Sequence, residues 1–446
     1  MSHLNLNPKS IAIVGASHTP GKVGYNTLRN ILVSCYKGAV YPVNPKGGEI
    51  LGLKCYSSLL EIKNKIEMAV ITTPAVLVPS VIADCAKKNV ETAVVISSGF
   101  SEVGRPDLEK ELLKVKGDVR IIGPNVLGIK NPWGPLDAAF SYVMPKKGGI
   151  GLISQSGALL LGMAHLANEE AIGLSLIVSV GNKIDVDDTD LIDYFNEDPH
   201  TKVIAMYLEQ VNNGDRFIKA AKRSKKSIVA VKAGRSEAGL RAAASHTGAM
   251  GGSDKIYDSA FRQAGITRAF SVTELFDYAN ALALMPKVRG SRIGIVTNGG
   301  GLGITIADAC ESLGLEVPQP SSEILKRLRD PVPKEIKPGN PADLGGLANF
   351  SDYREAGKAL IEDNKIGGVI MALVQTGLTK LEEYTSATIE VARRGKELGK
   401  PTIGCWMGGK QIRDMREILA ESEVPIYPSV SRAAKVMAML CSCYTK

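Results

Sequence analysis

The sequence predicts an α/β protein with three domains, each built on a parallel β-sheet. Short apolar runs rich in valine and isoleucine alternate with helix-period segments along almost the whole chain, a pattern typical of parallel sheets covered by helices. The length of 446 residues corresponds to three domains, at roughly 150 residues per domain. Each domain opens with a strand that passes through a glycine-rich turn into a helix, which indicates that one architecture is repeated.

The first domain is predicted to span residues 1–130. A helix is expected from about Val23, directly after the first strand. The stretch 131–149 lacks periodicity and is rich in proline and glycine, so we interpret it as a linker. The five strands of this domain are expected at 11–16, 39–45, 69–74, 92–98 and 120–124.

Two further domains are predicted, at 150–286 and 287–446. The residues 286–291 form a second short linker, which follows an apolar helix expected at 274–285. Strands of the second domain are expected at 149–154, 174–182, 203–209 and 227–234, and strands of the third at 292–301, 368–374, 401–407 and 425–429.

Composition excludes several classes of function. Aromatic residues make up only 5% of the chain and the net charge is +8, which argues against a nucleic-acid binder and suits a small anionic ligand. The seven cysteines are scattered without a CxxC pair, so we expect reduced thiols and no metal site. The N-terminus does not resemble a signal peptide, and glycines interrupt the most apolar window, 148–167, so a cytoplasmic protein without a membrane segment is expected.

The first glycine-rich turn, residues 15–24, predicts a phosphate-bearing ligand. Glycines let an anion approach the free N–H groups at a helix N-terminus. The pattern differs from the dinucleotide fingerprint, because Ser17 stands where the second glycine would be. Lys46 follows the next strand, where a nicotinamide nucleotide site would have an acidic residue. The alternative is a turn with a structural role alone.

Two similar turns open the second and third domains. In the second domain, Ser154, Ser156 and Gly157 precede an apolar helix, where the hydroxyl groups either cap the helix or bind a phosphate. In the third domain, Gly300 and Gly301 belong to a run of three glycines, more than a tight turn needs, which favours close contact with a ligand. The two helix ends together could hold one phosphate group.

Among the five histidines, His246 is the candidate nucleophile. It follows the strand 227–234 in a segment of small residues, which we expect to be a long loop. Neutral imidazole is a good nucleophile at pH 7 if its second ring nitrogen is held by a carboxylate or carbonyl. Glu209 is the expected orienting group, because it ends a neighbouring strand. An exposed histidine without function is the alternative.

Several motifs taken together resemble the NDP-forming (ADP-forming) acyl-CoA synthetases of the succinyl-CoA synthetase superfamily. The segment KAGRSEAG with SHTGA after it resembles the phosphohistidine region of that family. The other motifs occur in family order along nearly the whole chain: VGAS (14–17) with PGKVG (20–24), VNPKG (43–47), GPNVLG (123–128), ISQSGA (153–158), SVGNK (179–183), YLE (207–209), NGGGLG (298–303) and NPADLGG (340–346).

The resemblance implies a Rossmann-like CoA-binding domain, followed by a catalytic flavodoxin-like domain with the phosphohistidine and a second flavodoxin-like domain. It also implies an α subunit, because no stretch of the chain is left to form the ATP-grasp module of the family. ADP or ATP with Mg would then be bound mainly by a separate ATP-grasp β subunit. The two kinds of chain would form an α2β2 heterotetramer. The reaction expected from the family runs through acyl phosphate and phosphohistidine.

The resemblance also assigns site residues. His246 would be the phosphoacceptor, and Glu209 would orient its ring. Neither nucleic acid nor a membrane is expected to bind the protein. Residues carried over to CoA are Gly15, Ser17, Pro20, Gly21, Lys46, Thr72 and Ser98, and those carried over to phosphate are Ser154, Ser156, Gly157, Gly300 and Gly301.

Two other functions compete with this interpretation. A non-catalytic CoA-binding or CoA-sensing protein would keep the fold without the phosphoryl relay, and the presence of both His246 and Glu209 argues against it. A nicotinamide-dependent oxidoreductase is disfavoured by Ser17 and Lys46. The acyl group and the choice between ADP and GDP are not encoded in any motif.

Overall fold

The computed structural model describes residues 4–247, 253–286 and 290–442, with the backbone alone for 243–247 and 442. The chain divides into two compact units, one ending at Leu275 and the other beginning at Phe276. The first unit contains two large sheets and the second contains one. This arrangement confirms the predicted α/β fold with three sheet domains.

The first sheet is entirely parallel, in the order β2-β1-β5-β6-β7. Its apolar strands are covered by helices on both faces, so β1, β5 and β6 are buried along their whole length. The strands are β1 (Ser10–Val14), β2 (Ala39–Val43), β5 (Met68–Ile71), β6 (Thr92–Val95) and β7 (Arg120–Ile122), with a small hairpin of β3 (Glu49–Ile50) and β4 (Leu53–Lys54). The helices are α1 (Val23–Val33), α2 (Val78–Lys87) and α3 (Pro106–Val115).

The second sheet has seven strands in the order β14-β13-β12-β10-β11-β8-β9. Strands β10 to β14 run parallel, and β8 and β9 extend the edge in antiparallel pairing. The strands are β8 (Gly128–Asn131), β9 (Leu136–Ala139), β10 (Lys147–Ser154), β11 (Leu174–Ser179), β12 (Val203–Leu208), β13 (Ser227–Lys232) and β14 (Thr267–Ala269). The helices are α4 (Gly157–Glu169), α5 (Asp188–Glu197), α6 (Gly214–Arg223), α7 (Glu237–Thr247), α8 (Asp254–Ala264) and α9 (Val272–Leu284), the last of which crosses the boundary between the two units.

The segment 131–149, which the sequence indicates as a linker, differs from that expectation. It contains β9 and the start of β10, and β8 and β9 form a hairpin that pairs with β11. Inside the hairpin, Lys130 donates to both carboxylate oxygens of Asp137 at 2.6 Å, with both side chains buried. Periodicity does not reveal this hairpin, because its strands are only four residues long and its stability depends on a strand distant in sequence.

The segment around His246 also differs from the expectation of a long loop. Residues Glu237–Thr247 form helix α7, and His246 lies in its last turn. The segment is rich in alanine, which has the highest helix propensity, and this preference outweighs the loop signal of its small residues.

The second unit contains the third sheet, in the order β16-β15-β17-β18-β19, with every pair parallel. Arg432 donates two hydrogen bonds to the buried carboxylate of Asp277, at 2.6 and 2.8 Å, and so ties the last helix to the second half of α9. The strands are β15 (Ile293–Thr297), β16 (Ala342–Asp343), β17 (Gly368–Val374), β18 (Thr402–Met407) and β19 (Ile426–Tyr427), and the helices are α10 (Gly300–Ser312), α11 (Ser322–Arg327), α12 (Phe350–Glu362), α13 (Leu381–Glu397), α14 (Lys410–Glu421) and α15 (Val430–Ser442).

The parallel strands of all three sheets follow the same order. Counted within each domain, that order is 2-1-3-4-5, with the second sheet carrying β8 and β9 in addition. In such sheets ligands bind at the carboxyl ends of the first and third strands, where the chain direction of the connections reverses. None of the helices in the described part of the chain is both apolar enough and long enough to reach across a lipid bilayer.

Candidate active site

The first glycine-rich turn lies at the reversal point of the first sheet, between the ends of β1 and β5. Gly15 has φ +93°, and a Cβ there would lie 2.8 Å from Thr72 Oγ1. The hydroxyl of Thr72 donates to the carbonyl of Gly15 at 3.0 Å. A Cβ at Gly24 would lie 2.1 Å from the oxygen of Gly15, so the first turn of α1 packs directly on this loop. These close contacts require glycine at both positions.

The N-terminus of helix α1 faces this turn without a side-chain cap. Lys22 occupies the N-cap position and makes no capping hydrogen bond. The N–H groups of the first helical turn therefore have no competing side-chain acceptor from the cap residue, which is the condition for binding an anionic ligand.

The structure brings most of the residues predicted to bind CoA to one edge of the first sheet. Asn44 links two of the loops, because its Nδ2 donates to Ala16 O at 2.7 Å and its Oδ1 accepts from Lys46 N at 3.0 Å. The hydroxyl of Ser17 accepts from Thr19 N within the turn. Exposed members of the set are Pro20, Gly21, Lys46 and Ser98, and Ser98 follows β6 at the carboxyl end of that strand.

The second turn lies at the reversal point of the second sheet, between the ends of β10 and β12. The buried hydroxyl of Ser154 donates to Ser156 O at 2.8 Å and accepts from Ser156 N at 3.2 Å. Ser156 is the N-cap of α4, and its hydroxyl accepts from Leu159 N at 3.3 Å. The capping role left open by the sequence is therefore present, and the hydroxyl hydrogen of Ser156 remains available to a ligand.

Between these two serines, Gln155 joins the turn to the end of β12. Its Oε1 accepts hydrogen bonds from Glu209 N at 3.0 Å and Gln210 N at 3.1 Å. Lys183 Nζ donates to the same oxygen at 3.1 Å, and also to Asp188 Oδ2 at 2.8 Å and Gln210 O at 2.6 Å. Burial raises the pKa of Asp188, and the Lys183 ammonium opposes that shift.

The carboxylate of Glu209 lies in a region of buried ionisable groups. Burial raises the pKa of Tyr207, and the charge of Glu209 adds to that shift. Lys232, at the end of the adjacent β13, is buried over the ring of Tyr257, with Nζ 4.7 Å from the ring centroid. Burial lowers the pKa of Lys232, while the carboxylates of Asp254 and Glu209 act in the opposite direction.

The predicted contact between His246 and Glu209 lies outside the described side chains. The backbone of His246 is in α7, and α7 contacts the helical turn Ser101–Val103 of the first domain. The histidine helix therefore packs beside the loop that follows β6, the strand before Ser98.

The third turn repeats the construction of the second. The Thr297 hydroxyl donates to Gly299 O at 2.9 Å and accepts from Gly299 N at 3.0 Å. The side chain of Asn298 bonds both the N–H and the carbonyl of Val374, at the end of β17. A hydroxyl residue followed by an amide residue thus closes the first strand in both domains.

Gly300 lies close to a neighbouring carboxylate. A Cβ there would lie 2.5 Å from Asp343 Oδ2, whereas a Cβ at Gly301 would have no atom within 4 Å. The N-cap of α10, Gly299, provides no side-chain cap. Asp343 therefore adds negative charge at the helix end where the sequence predicts a phosphate, and the predicted roles of Gly300 and Gly301 stay predictions.

Three further residues of the site, Gln155, Asn182 and Lys183, are not predicted from the sequence. Their signal is present, because Gln155 lies inside the second turn and the other two lie in the motif 179–183. A lysine and a glutamine in such turns are typical of surface residues, however. Their burial follows from strands that the sequence does not place side by side.

Comparison with protein families places three models along the chain. A CoA binding domain matches residues 9–132, a succinyl-CoA ligase like flavodoxin domain matches 147–282, and a Ligase-CoA domain matches 293–445. The chain is 40% identical to the α subunit of acetate–CoA ligase [ADP-forming] I from Pyrococcus furiosus, over 97% of this chain and 96% of that one.

The chain belongs to the ADP-forming acyl-CoA ligases. The family predicted from the sequence motifs is thereby confirmed. The prediction of an acid–CoA ligase is confirmed as well, and it is favoured over the alternative of a non-catalytic CoA-binding protein. An acetate–CoA ligase [ADP-forming] of Methanocaldococcus jannaschii is also 40% identical, over 97% of this chain, but this chain spans only 62% of that protein.

A solved structure agrees with this membership of the ADP-forming acyl-CoA ligases. The dinucleotide forming acetyl-coenzyme A synthetase 1 of Ca. Korarchaeum cryptofilum, in complex with phosphate and ADP, superposes with a TM-score of 0.93 at 38% identity, covering 98% of this chain and 96% of that one.

Proposed function

We propose that the chain is the α subunit of an ADP-forming acyl-CoA ligase, which reversibly converts acyl-CoA, phosphate and ADP to a carboxylic acid, CoA and ATP. The observation that carries this proposal is the contact at the second reversal point. There Gln155 ties the serine turn before α4 to the backbone of Glu209, so that an anion cradle and a candidate orienting carboxylate belong to one hydrogen-bonded unit.

We assign CoA binding to the first domain, residues 1–130. The pyrophosphate of CoA would lie at the uncapped N-terminus of α1, on the turn that contains Gly15, Ser17, Pro20 and Gly21. The exposed ammonium of Lys46 would neutralise phosphate charge, and Thr72 and Ser98 would contact the ligand at the ends of β5 and β6.

In the first step of the proposed reaction, a phosphate oxygen attacks the thioester carbonyl. The C–S bond breaks, CoA leaves as a thiolate and acyl phosphate remains. The hydroxyl of Ser156 and the N–H of Gly157 would hold the phosphate, while Ser154 fixes the turn through bonds that use its only hydroxyl hydrogen. We assign this step to residues 150–286, whose sheet is completed by β8 and β9.

In the second step, a ring nitrogen of His246 attacks phosphorus, and the P–O bond to the acyl group breaks to release the carboxylate. Glu209 would hold the other ring N–H and stabilise the positive charge that develops on the imidazole. Gly300 and Gly301, at the N-terminus of α10, would bind phosphate in the domain 287–446.

In the third step, a terminal oxygen of ADP attacks the phosphohistidine and takes the phosphoryl group, which restores His246 and forms ATP. We propose that ADP and Mg bind mainly to a separate ATP-grasp β subunit. Two features support a partner: similar chains are named α subunits, and a related ligase is longer than this chain. An α2β2 heterotetramer in the cytoplasm is the assembly that we propose.

Labelling tests the relay directly. The purified chain is incubated with an acyl-CoA and ³²P-phosphate, and acid-labile, base-stable label is expected on His246. The variant His246→Ala should carry none, while His165→Ala, which changes an exposed histidine on α4, should label like the natural chain. Equal labelling of His246→Ala would refute the relay, and CoA binding without any labelling would favour a CoA-sensing protein.

A further inference from the structure

Two adjacent residues in the loop after β11, Asn182 and Lys183, contact two different parts of the candidate site. The loop is held tightly on the segment 123–125. Gly181 has φ +51°, and a Cβ there would lie 2.2 Å from Pro124 O, so only glycine fits. The N–H of Asn182 donates to the same carbonyl at 3.0 Å. Both side chains therefore project from a fixed backbone.

Lys183 helps to hold the side chain of Gln155, because it is one of three donors to its amide oxygen. An ammonium group only donates hydrogen bonds, so the atom of Gln155 that receives its bond must be the amide oxygen. That oxygen also accepts from the N–H groups of Glu209 and Gln210. The side chain of Lys183 is completely buried and paired with Asp188, so its position is fixed.

Asn182 contacts the residues beside Ser98, which is predicted to bind CoA. Its Nδ2 donates to Glu102 Oε2 at 2.8 Å and to Glu109 Oε1 at 2.7 Å. The other oxygen of Glu102 accepts from Gly99 N at 2.7 Å, directly after Ser98. Burial acts to raise the pKa of Glu102, but the bonds from Asn182 and the Gly99 backbone outweigh it and lower the pKa.

The helical turn that contains Glu102 also contacts α7, the helix of His246. Asn182 is therefore hydrogen-bonded to a turn that lies next to Ser98 on one side and contacts α7 on the other. Lys183, the next residue, is hydrogen-bonded to Gln155, whose side chain joins the serine turn before α4 to the backbone of Glu209.

We propose that Asn182 and Lys183 are positioning residues for the two substrates, Lys183 for phosphoryl transfer and Asn182 for CoA. Lys183 acts through Gln155 on Glu209, and Asn182 acts through Glu102 on the loop 97–102. Because the two residues are adjacent on a rigid turn, they hold the two substrate loops in a constant relative position. The inference rests on the proposed function.

The test separates two measurements on the full chain: the affinity for CoA by calorimetry, and the rate of ³²P labelling at saturating acyl-CoA. Lys183→Met and Gln155→Leu should slow labelling about tenfold or more, with the CoA Kd changed less than about twofold. Gln155→Leu removes the acceptor of the Glu209 N–H, and Lys183→Met removes the ammonium that helps to hold that acceptor in place. Asn182→Leu should weaken CoA binding about fivefold to tenfold and keep the saturated labelling rate within about threefold.

Controls keep the outcome unambiguous. Lys65→Met removes an exposed lysine paired with Glu91, and it should change neither measurement. If Lys183→Met does not fold, Gln155→Leu still tests the same link, because it keeps the pair of Lys183 and Asp188. If every variant lost CoA affinity and labelling rate to the same extent, in proportion to a lower Tm, the inference would be overturned. Absence of label in the natural chain would refute the proposed function instead, while the CoA affinity of Asn182→Leu would still test the CoA half of the inference.

Discussion

Gln155 Oε1 accepts a hydrogen bond from the backbone N–H of Glu209 over 3.0 Å, and so connects the turn before α4 to the end of the neighbouring strand β12. The third domain contains the same device, in which Asn298 bonds the backbone of Val374. In both domains the preceding hydroxyl residue closes a two-residue turn. The shared construction explains why two sheets with different sequences present a helix N-terminus at the same place.

The variant Glu209→Gln should phosphorylate His246 about tenfold or more slowly, because an amide cannot stabilise the imidazolium as a carboxylate does. Its affinity for CoA should stay unchanged, since the residues assigned to CoA lie on the other sheet of the unit. Single-turnover labelling and calorimetry provide the two measurements. Glu169→Gln, an exposed change on α4, is the control, and a large loss of CoA affinity would contradict the assignment.

The variant Asp343→Asn tests whether the N-terminus of α10 holds a phosphate. Removing a negative charge next to Gly300 should strengthen phosphate binding about twofold to fivefold, because the helix end carries a partial positive charge. The measurement is the affinity of the full chain for inorganic phosphate by calorimetry. Asp330→Asn, an exposed change in the same unit, should have no effect. Unchanged or weaker phosphate binding by Asp343→Asn would count against a phosphate at this helix.

The hairpin of β8 and β9 should depend on its buried ion pair. Lys130→Met leaves the Asp137 carboxylate buried without its partner, which should lower the free energy of unfolding by about 3–5 kcal/mol. The double variant Lys130→Met/Asp137→Leu should recover much of that loss, since it buries no charge. Urea unfolding followed by circular dichroism gives both values. A double variant as unstable as the single one would show that the charge is not the cause.

Two glycine-to-alanine changes in helices should have opposite effects. Gly24→Ala places a Cβ against Gly15 O and should destabilise the chain by about 1–3 kcal/mol, with weaker CoA binding as well. Gly162→Ala, in the middle of α4 with open space around the new Cβ, should stabilise it by about 0.5–1 kcal/mol. Thermal unfolding compares the two, and an equal change in Tm would show that packing against Gly15 is not decisive.

Much of the fold could be predicted because the determining signals are local. Runs such as 69–74 and 92–98 are apolar and β-branched, and the structure places β5 and β6 there. The turns at Gly15, Ser156 and Gly300 were also identified correctly as helix starts. In contrast, helix α7 was expected as a loop, since alanine and glycine at its positions give no amphipathic pattern.

The sequence by itself determined most of the strand and helix pattern, the glycine-rich turns and the family, because each depends on residues that are neighbours along the chain. Only the tertiary structure decided that β8 and β9 complete the second sheet, and that Gln155, Lys183 and Asn182 join the substrate loops. The second feature consists of partly or fully buried polar side chains that join segments far apart along the chain, such as Asn182 with Glu102 and Lys183 with Gln155. A buried polar group is recognisable only when its partners are known, since the same residue in water needs no partner.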